Sequence, residues 1–230
     1  IDIVAYDINS IESLSFREGV RTRIQMYLGS DDIEGTYQAL KEIINNSTDE
    51  ALAGYGKKIQ IALNEQTNTI TVRDYGRGVP FGKREDGENV LVSIFTKPHT
   101  GGKFSHDAYK NASGLNGIGG SCVCLSSKTF TVQSFRDGKR AAAIFEKGIL
   151  KEYIEEKCNN PNGTRIDFSP DPEVFHNGEI GYEYSRICQD IQDISYLYPG
   201  IEFIVSNDNE RHIYCAKNGI VDFITDNLEK

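Results

Sequence analysis

The chain has 230 residues, and its 34 acidic side chains against 25 basic ones leave a formal net charge of −9. The length suits one large domain or two small ones, and the acidic balance argues against a protein that binds nucleic acid over its whole surface. No apolar run approaches the roughly 18 residues that would cross a bilayer, so no membrane span is predicted.

The cysteines give no sign of a metal site or a disulfide framework. Five of them lie at scattered positions, with no Cys-x-x-Cys pair and no histidine at metal-ligand spacing. We interpret them as reduced thiols of a cytoplasmic protein. The first residues contain no basic segment followed by an apolar stretch, so no secretory signal is predicted.

The first strong pattern is an amphipathic helix over residues 33–55, ending near Gly54. On a helical wheel, one face is apolar or small and predicts a buried side, formed by Leu40, Ile43, Ile44, Ser47 and Ala51. The other side contains a polar stripe formed by Glu42, Asn46 and Asp49. Such a stripe is most often a solvated helix face, and its alternative is a functional site.

Strand signals follow this helix. Two alternating runs at 59–63 and 69–73 predict a hairpin, and the second leads into Asp74-Tyr75-Gly76-Arg77-Gly78-Val79-Pro80. A short apolar helix is predicted at 90–95, and a glycine-rich loop at 99–120, which is either functional or disordered. The remaining predictions are strands at 128–135, 140–145, 165–168 and 202–205 and helices at 182–197 and 221–228. This is an α+β pattern in a single domain, 1–230.

Two common nucleotide-binding motifs are missing. The run from Gly76 to Arg84 lacks the glycine spacing and the Ser/Thr of a P-loop, and it also lacks the third glycine of a Rossmann fingerprint. Neither of these phosphate-binding loops is therefore predicted.

Four separated segments are more informative when taken together: Glu42-x-x-x-Asn46, Asp74-x-Gly76-x-Gly78, Gly101-Gly102-Lys103-Phe104 and Gly114-Leu115-Asn116-Gly117-Ile118-Gly119. In this order and with these gaps, they resemble the ATPase family shared by gyrase, the heat-shock chaperone, histidine kinases and mismatch-repair ATPases. The stretches 6–29, 46–54, 99–104, 136–139 and 162–164 resemble one branch more closely, the B subunits of the type IIA topoisomerases gyrase and topoisomerase IV.

This resemblance implies a two-layer α+β sandwich of the Bergerat type, with helices on one face of a mixed, mostly antiparallel sheet. It also implies ATP and Mg²⁺ as cofactors, an N-terminal arm at 1–30 and an ATP lid at 99–120. ATP binding would dimerise two B subunits, which act on DNA within the complete enzyme together with an A subunit. The family's transducer and later domains would lie outside this chain, so we expect weak or no turnover from the chain alone.

The chemistry of the matched residues agrees with this interpretation. Glu42 can orient or deprotonate the attacking water, and Asn46 offers the hard oxygen that Mg²⁺ prefers. Asp74 can accept the exocyclic amine of adenine, and Thr164 can donate its hydroxyl to Asp74 or to a water beside the ring. The backbone N–H groups of the loop from Gly114 to Gly120 can bind phosphate.

By resemblance, Glu42 is the catalytic residue, Asn46 is the metal ligand, Arg136 lies on the rim where aminocoumarin-type inhibitors bind, and Tyr6 reaches the partner's nucleotide. The nucleotide-binding set is Tyr6, Asn46, Asp49, Asp74, Arg77, Gly78, Pro80, Lys103, Tyr109, Gly114, Leu115, Asn116, Gly117, Ile118, Gly119, Gly120, Arg136 and Thr164.

Simpler interpretations remain open for several of these residues. The Asp74 motif alone is typical of a plain turn. Tyr6 could instead be a ring that packs on its own domain, and Arg136 could be a solvated strand residue. Asn45, Asn116 and Ile24 depart from the gyrase pattern and indicate a divergent member. The alternative functions are a chaperone or mismatch-repair type of the same ATPase family, or a non-catalytic ATP-binding module.

Overall fold

The computed structural model describes residues 14–99 and 117–228, and within these ranges the chain forms seven helices and eight strands. The helices are α1 (Phe16–Thr22), α2 (Gln25–Leu28), α3 (Ile33–Leu52), α4 (Val90–Thr96), α5 (Gly119–Ser126), α6 (Tyr184–Leu197) and α7 (Ile220–Leu228). The strands are β1 (Lys58–Asn64), β2 (Thr69–Asp74), β3 (Ser127–Arg136), β4 (Lys139–Glu146), β5 (Ile149–Lys157), β6 (Gly163–Pro170), β7 (Glu202–Ser206) and β8 (Arg211–Tyr214).

The eight strands form one sheet in the order β5-β4-β3-β6-β2-β1-β7-β8. Neighbouring strands are antiparallel except β1 and β7, which run parallel and place Ile61 opposite Val205. This arrangement confirms the expected α+β fold with a mixed, mostly antiparallel sheet.

The two faces of the sheet differ because side chains alternate along each strand. One face is apolar and buried beneath the helices, with Ile61, Val72, Val132, Ile166 and Phe203 fully or almost fully buried. The opposite face, which we call the open face, carries mainly polar side chains that stay partly exposed at the sheet centre: Gln60, Thr71, Arg73, Gln133, Arg165 and Asp167.

Helices α3 and α5 cover the centre of the buried face. Helix α3 begins at Asp32, whose carboxylate accepts from the Glu34 backbone N–H and caps the helix. Every residue of α5 from Ser121 to Ser126 is buried, as expected for a helix that is surrounded by other elements. No helix in the described part of the chain is long and apolar enough to span a membrane.

The N-terminal part of the described chain also packs into the body. A capping box between Ser15 and Glu18 starts α1, and Val20, Ile24 and Leu28 are buried in the core. Residues 14–30 of the predicted arm thus lie in or beside these two short helices. Ile24, which departs from the gyrase sequence pattern, places its apolar side chain in this core.

Several elements were not predicted from the sequence. Strand β5 has a charged, non-alternating pattern with no fully buried residue, and β8 and the first two helices are short. Helix α5 was missed because it begins with two glycines, so the loop predicted over 99–120 is wrong at its last two residues. Helix α3 ends at Leu52 rather than near residue 55.

Candidate functional site

Asp74 ends β2 with a buried carboxylate, 7% exposed, that links three elements. Its Oδ1 accepts from the backbone N–H of Gly76 (2.9 Å) and of Thr164 (3.1 Å), and its Oδ2 accepts from the Ser47 hydroxyl on α3 (3.3 Å). Burial raises the pKa of Asp74 to about 6, although the two backbone hydrogen bonds act in the opposite direction. The carboxyl therefore titrates just below neutral pH.

Thr164 contacts Asp74 in a way that differs from the sequence prediction. Its backbone N–H, not its hydroxyl, bonds to the carboxylate, and the hydroxyl oxygen accepts from the Val79 N–H at 3.3 Å. The close approach depends on Gly163, which has φ 139° and whose Cβ would lie 2.2 Å from the Asp74 carbonyl oxygen. The start of β6 is thus pressed against the end of β2.

The segment after Asp74 is fixed by tertiary contacts, so interpreting it as a plain turn is insufficient. Gly78 has φ 80°, and a Cβ there would lie 2.5 Å from the Phe135 carbonyl oxygen. The Arg136 guanidinium donates to the Gly78 carbonyl at 3.0 Å, and the Ser134 hydroxyl donates to the Val79 carbonyl at 2.6 Å. These contacts place Pro80, which is exposed, and Arg136, which is half-buried, on one rim.

An ion pair ties this rim to α3. The Arg77 guanidinium bonds to Glu50 at 2.8 and 3.1 Å, and the Arg77 backbone N–H also bonds to Glu50, at 3.2 Å. The guanidinium lies over the Tyr55 ring, 4.2 Å from its centroid. Glu50 lies within the stretch 46–54 that resembles the topoisomerase branch, but the sequence analysis assigned it no role. Its position four residues after Asn46 puts it on the same side of the helix.

Glu42 and Asn46 face the beginning of α5. A Cβ on Gly119 would lie 2.1 Å from Glu42 Oε2, and a Cβ on Gly120 would lie 3.5 Å from Asn46 Nδ2. The Gln38 amide donates to Glu42 Oε1 at 3.0 Å and so holds the carboxylate in place. The two glycines therefore allow α5 to approach these α3 side chains closely.

Interpreting the polar stripe of α3 as a solvated face is wrong. Asp49 is 2% exposed, and Glu42 and Asn46 are half-buried. The reason is that β2 and α5 both pack against this side of the helix, a tertiary contact that a helical wheel does not contain.

The end of the glycine-rich loop is also at this site. Gly117 and Ile118 lead directly into α5, and Ile118, at the N-cap position, makes no side-chain capping hydrogen bond. The first backbone N–H groups of a helix lack partners within the helix and favour anions. The structure thus brings the start of α5 together with Glu42 and Asn46.

The remaining predicted site residues are Tyr6, Lys103, Tyr109, Gly114, Leu115 and Asn116, and they lie outside the described residues.

Comparison with known proteins identifies the family. Residues 31–173 match the family described as "Histidine kinase-, DNA gyrase B-, and HSP90-like ATPase", a segment that contains Glu42, Asn46, Asp74 and Thr164. The chain belongs to this ATPase family. The family resemblance predicted from the sequence is confirmed.

Individual relatives of this ATPase are B subunits of type IIA topoisomerases. The chain is 36% identical to the B subunit of DNA gyrase from Thermus thermophilus, over 96% of this chain and 35% of that protein. It is 36% identical to the B subunit of DNA topoisomerase 4 from Borreliella burgdorferi, over 97% of this chain and 36% of that protein. The chain thus spans about a third of the length of these curated relatives.

A solved structure agrees with the fold of this ATPase. It is the 43K ATPase domain of Thermus thermophilus gyrase B in complex with an aminocoumarin, with a TM-score of 0.77 and 31% identity. The match covers 91% of this chain and 54% of that chain. This similarity confirms the expected fold class.

Proposed function

We propose that this chain is the ATP-binding and ATP-hydrolysing domain of a type IIA DNA topoisomerase B subunit. The observation that supports this most strongly is the buried Asp74 carboxylate, joined through α3 to Glu42 and Asn46 at the beginning of α5. One end of this arrangement suits a purine base, and the other end suits a polyphosphate.

Adenine would bind at Asp74. A carboxylate has about four lone-pair sites, and Gly76, Thr164 and Ser47 occupy three of them. The remaining site can accept an N–H of the exocyclic amine once the carboxyl is ionised. Gly78, Pro80 and Arg136 would flank the base, with Arg77 and Asp49 supporting the same wall.

The triphosphate would lie at the beginning of α5. The N–H groups that follow Ile118 supply donors for anionic oxygens, and Lys103, Tyr109 and the loop from Gly114 to Gly120 would complete the contacts. Glu42, restrained by Gln38, would orient the attacking water and take its proton.

The oxygen ligands in this region fit Mg²⁺. The described residues contain no group of three or more His, Cys, Asp or Glu side chains that could hold a metal ion by themselves. A single Asn46 amide oxygen beside a triphosphate instead suits a cation that keeps several waters and phosphate oxygens as ligands. Bound there, Mg²⁺ would neutralise phosphate charge.

The complete protein would use this domain as a nucleotide-dependent gate. ATP would bring two B subunits together, with Tyr6 of each arm near the partner's nucleotide, and hydrolysis would reset the gate during passage of one DNA duplex through another. An A subunit would supply the rest of the enzyme. Because one related structure is described as an aminocoumarin complex, we also propose that such inhibitors bind beside Arg136.

Calorimetry with a non-hydrolysable ATP analogue and Mg²⁺ tests this proposal. We expect saturable one-site binding that Asp74→Asn weakens, whereas Asn160→Asp on the open face leaves it unchanged. DNA relaxation by the complete protein would then distinguish a topoisomerase from a chaperone-type or mismatch-repair-type ATPase. Absence of analogue binding by the unmodified chain would contradict the proposal.

A further inference from the structure

The open face of the sheet contains a groove of about 730 Å³ on the side away from α3 and α5. Its lining comes from all eight strands and from the segments that follow β2 and β5: Gln60, Ala62, Thr71, Arg73, Tyr75, Gln133, Phe135, Arg140, Glu156, Cys158, Asn160, Arg165, Ile204, Ser206 and Arg211. Strands lie roughly 4.8 Å apart, so a path from β5 to β8 is roughly 34 Å long. The groove is therefore extended rather than a pocket for one small molecule.

Positive charge exceeds negative charge in this groove. The lining contains four arginines but only one carboxylate, Glu156, which pairs with Arg140. Arg165 pairs with Asp167 at 2.8 Å. Within the ranges 14–99 and 117–228, Arg73 and Arg211 form no ion pair with a carboxylate. Two guanidinium groups thus have no paired counter-charge among the described residues.

Arg73 lies at the centre of the groove and is held rigidly. Its guanidinium is 4.9 Å from the Tyr75 ring centroid and 4.4 Å from that of Phe135, and its Nη2 donates to the Pro161 carbonyl at 2.8 Å. Its Nη1 is buried and has no hydrogen-bond partner in the described part of the chain. No described carboxylate neutralises this guanidinium, so its positive charge would favour an anion that lies over the sheet centre.

The strand register places further hydrogen-bond donors on either side of Arg73, in a row across the sheet. Across four adjacent strands, Gln60 lies opposite Arg73, Arg73 opposite Arg165, and Arg165 opposite Gln133. The Gln60 oxygen accepts from the Tyr75 hydroxyl, and the Gln133 oxygen accepts from Arg140 Nε. Both amide NH₂ groups therefore remain as donors. The row consists of Arg73 and the Asp167-paired Arg165, flanked by two neutral donors. Arginine and amide donors are typical of phosphate contacts.

We propose that this groove binds the phosphodiester backbone of duplex DNA without sequence preference. The proposal rests on the proposed function, because a DNA topoisomerase domain works beside DNA. The positive charges of Arg73 and of the exposed Arg211 suit phosphate groups, and the elongated shape suits a repeating polyanion. The neutral amides match a backbone that offers only acceptors. An acidic protein segment is the alternative occupant that the experiment separates.

Fluorescence anisotropy with a labelled 24-base-pair duplex at low salt, without nucleotide, tests the proposal on the 230-residue chain. We expect saturable binding, weakened about tenfold by Arg165→Ala/Arg211→Ala. The slope of log K against log salt should become shallower by about 1.8, or about 0.9 for each lost phosphate contact. Arg211→Glu is a second variant that preserves the fold, since this side chain is exposed and forms no ion pair with a described carboxylate.

The matched control is Arg23→Ala/Lys41→Ala, which removes the same charge from exposed positions in the helical layer. It should change DNA affinity by less than twofold. Equal weakening by this control, absence of saturable DNA binding, or tighter binding of polyglutamate than of DNA would each overturn the proposal. Calorimetry with the ATP analogue on the same samples separates the two proposals. Analogue binding without DNA binding would contradict only the proposed DNA groove. DNA binding without analogue binding would contradict only the proposed ATP site.

Discussion

The two faces of the sheet use the same strands for different purposes. On the buried face, Ile61, Val72 and Ile166 pack beneath the helices, and the buried polar side chain of Asp74 is held by three hydrogen bonds. On the open face, Arg73 and Arg165 meet in register, and a guanidinium N–H of Arg73 lacks a described partner. This contrast indicates that the buried face stabilises the fold and positions the residues of the proposed nucleotide site, whereas the polar open face stays accessible from solvent.

The largest effect should come from Glu42, the proposed general base on α3. Glu42→Ala should lower the ATPase rate of the complete B subunit about 10²–10⁴-fold, the usual loss for a missing general base, while analogue binding persists. Steady-state phosphate release and calorimetry would measure the two quantities. Lys41→Ala, at the neighbouring exposed position, is the control. An unchanged rate for Glu42→Ala would show that Glu42 is not the base.

Stability should respond very differently on the two faces. Ile61→Ala should lower the free energy of unfolding by about 2–5 kcal/mol because it leaves a cavity beneath the helices. Its neighbour Gln60→Ala, on the open face, should change it by less than about 0.5 kcal/mol. Urea unfolding followed by circular dichroism would measure both. Similar losses for the two variants would contradict the assignment of the faces.

Asp74 gives the buried face a pH dependence with a definite sign. Because burial raises the pKa of Asp74 from its usual 3.8 to about 6, the folded chain keeps a proton that the unfolded chain releases. This contribution to stability is fully present below about pH 4 and is lost as the pH rises through 6, a change of about 3 kcal/mol.

Urea unfolding between pH 4 and pH 7 tests this sign when the chain is compared with Asp74→Asn. The difference in unfolding free energy between the two proteins reports on Asp74 alone. It cancels the contribution of carboxylates whose pKa is lowered, such as Glu34 beside Arg186. A difference that stays constant over this range, or that changes in the opposite direction, would contradict the account.

A smaller effect should follow from Gly119→Ala. The added Cβ would meet the Glu42 carboxylate, whose flexible end can move aside. We therefore expect stability within about 0.5 kcal/mol of the unmodified chain but a roughly tenfold slower ATPase rate in the complete subunit. Gly181→Ala, where a Cβ would meet nothing within 4 Å, is the control. Equal rates for the two variants would show that the position of Glu42 does not depend on Gly119.

The sequence predicted the elements whose hydrophobic residues repeat with the period of a helix or a strand. The alternating runs at 59–63 and 69–73 and the helix from residue 33 match β1, β2 and α3 closely, because hydrophobic periodicity is a local property. The motif around Asp74 was informative only together with the other three segments, because alone it is typical of a plain turn. Chain-wide similarity, not local pattern, indicated how these segments come together.

Other features depend on contacts between distant residues. The burial of Asp49, the Glu50–Arg77 pair and the backbone bond from Thr164 to Asp74 arise only when α3, β2 and β6 meet. The row formed by Gln60, Arg73, Arg165 and Gln133 depends on strand register, which single-strand patterns do not specify. Helix α5 was missed since its glycine-rich start resembles a loop, whereas tertiary packing stabilises it.

The most direct test of the account is binding of a non-hydrolysable ATP analogue with Mg²⁺, measured by calorimetry on the unmodified chain and on Asp74→Asn at pH 7.5 and pH 5. The account predicts one-site binding at pH 7.5 that Asp74→Asn weakens about 10–100-fold, as expected for a lost hydrogen bond to a charged group. It also predicts that the loss of affinity between pH 7.5 and pH 5 is larger for the unmodified chain, in which Asp74 becomes protonated, than for the variant, in which only the ligand phosphates change protonation. Equal affinity of the two proteins at pH 7.5 would contradict the central claim that Asp74 forms the base-binding end of the site.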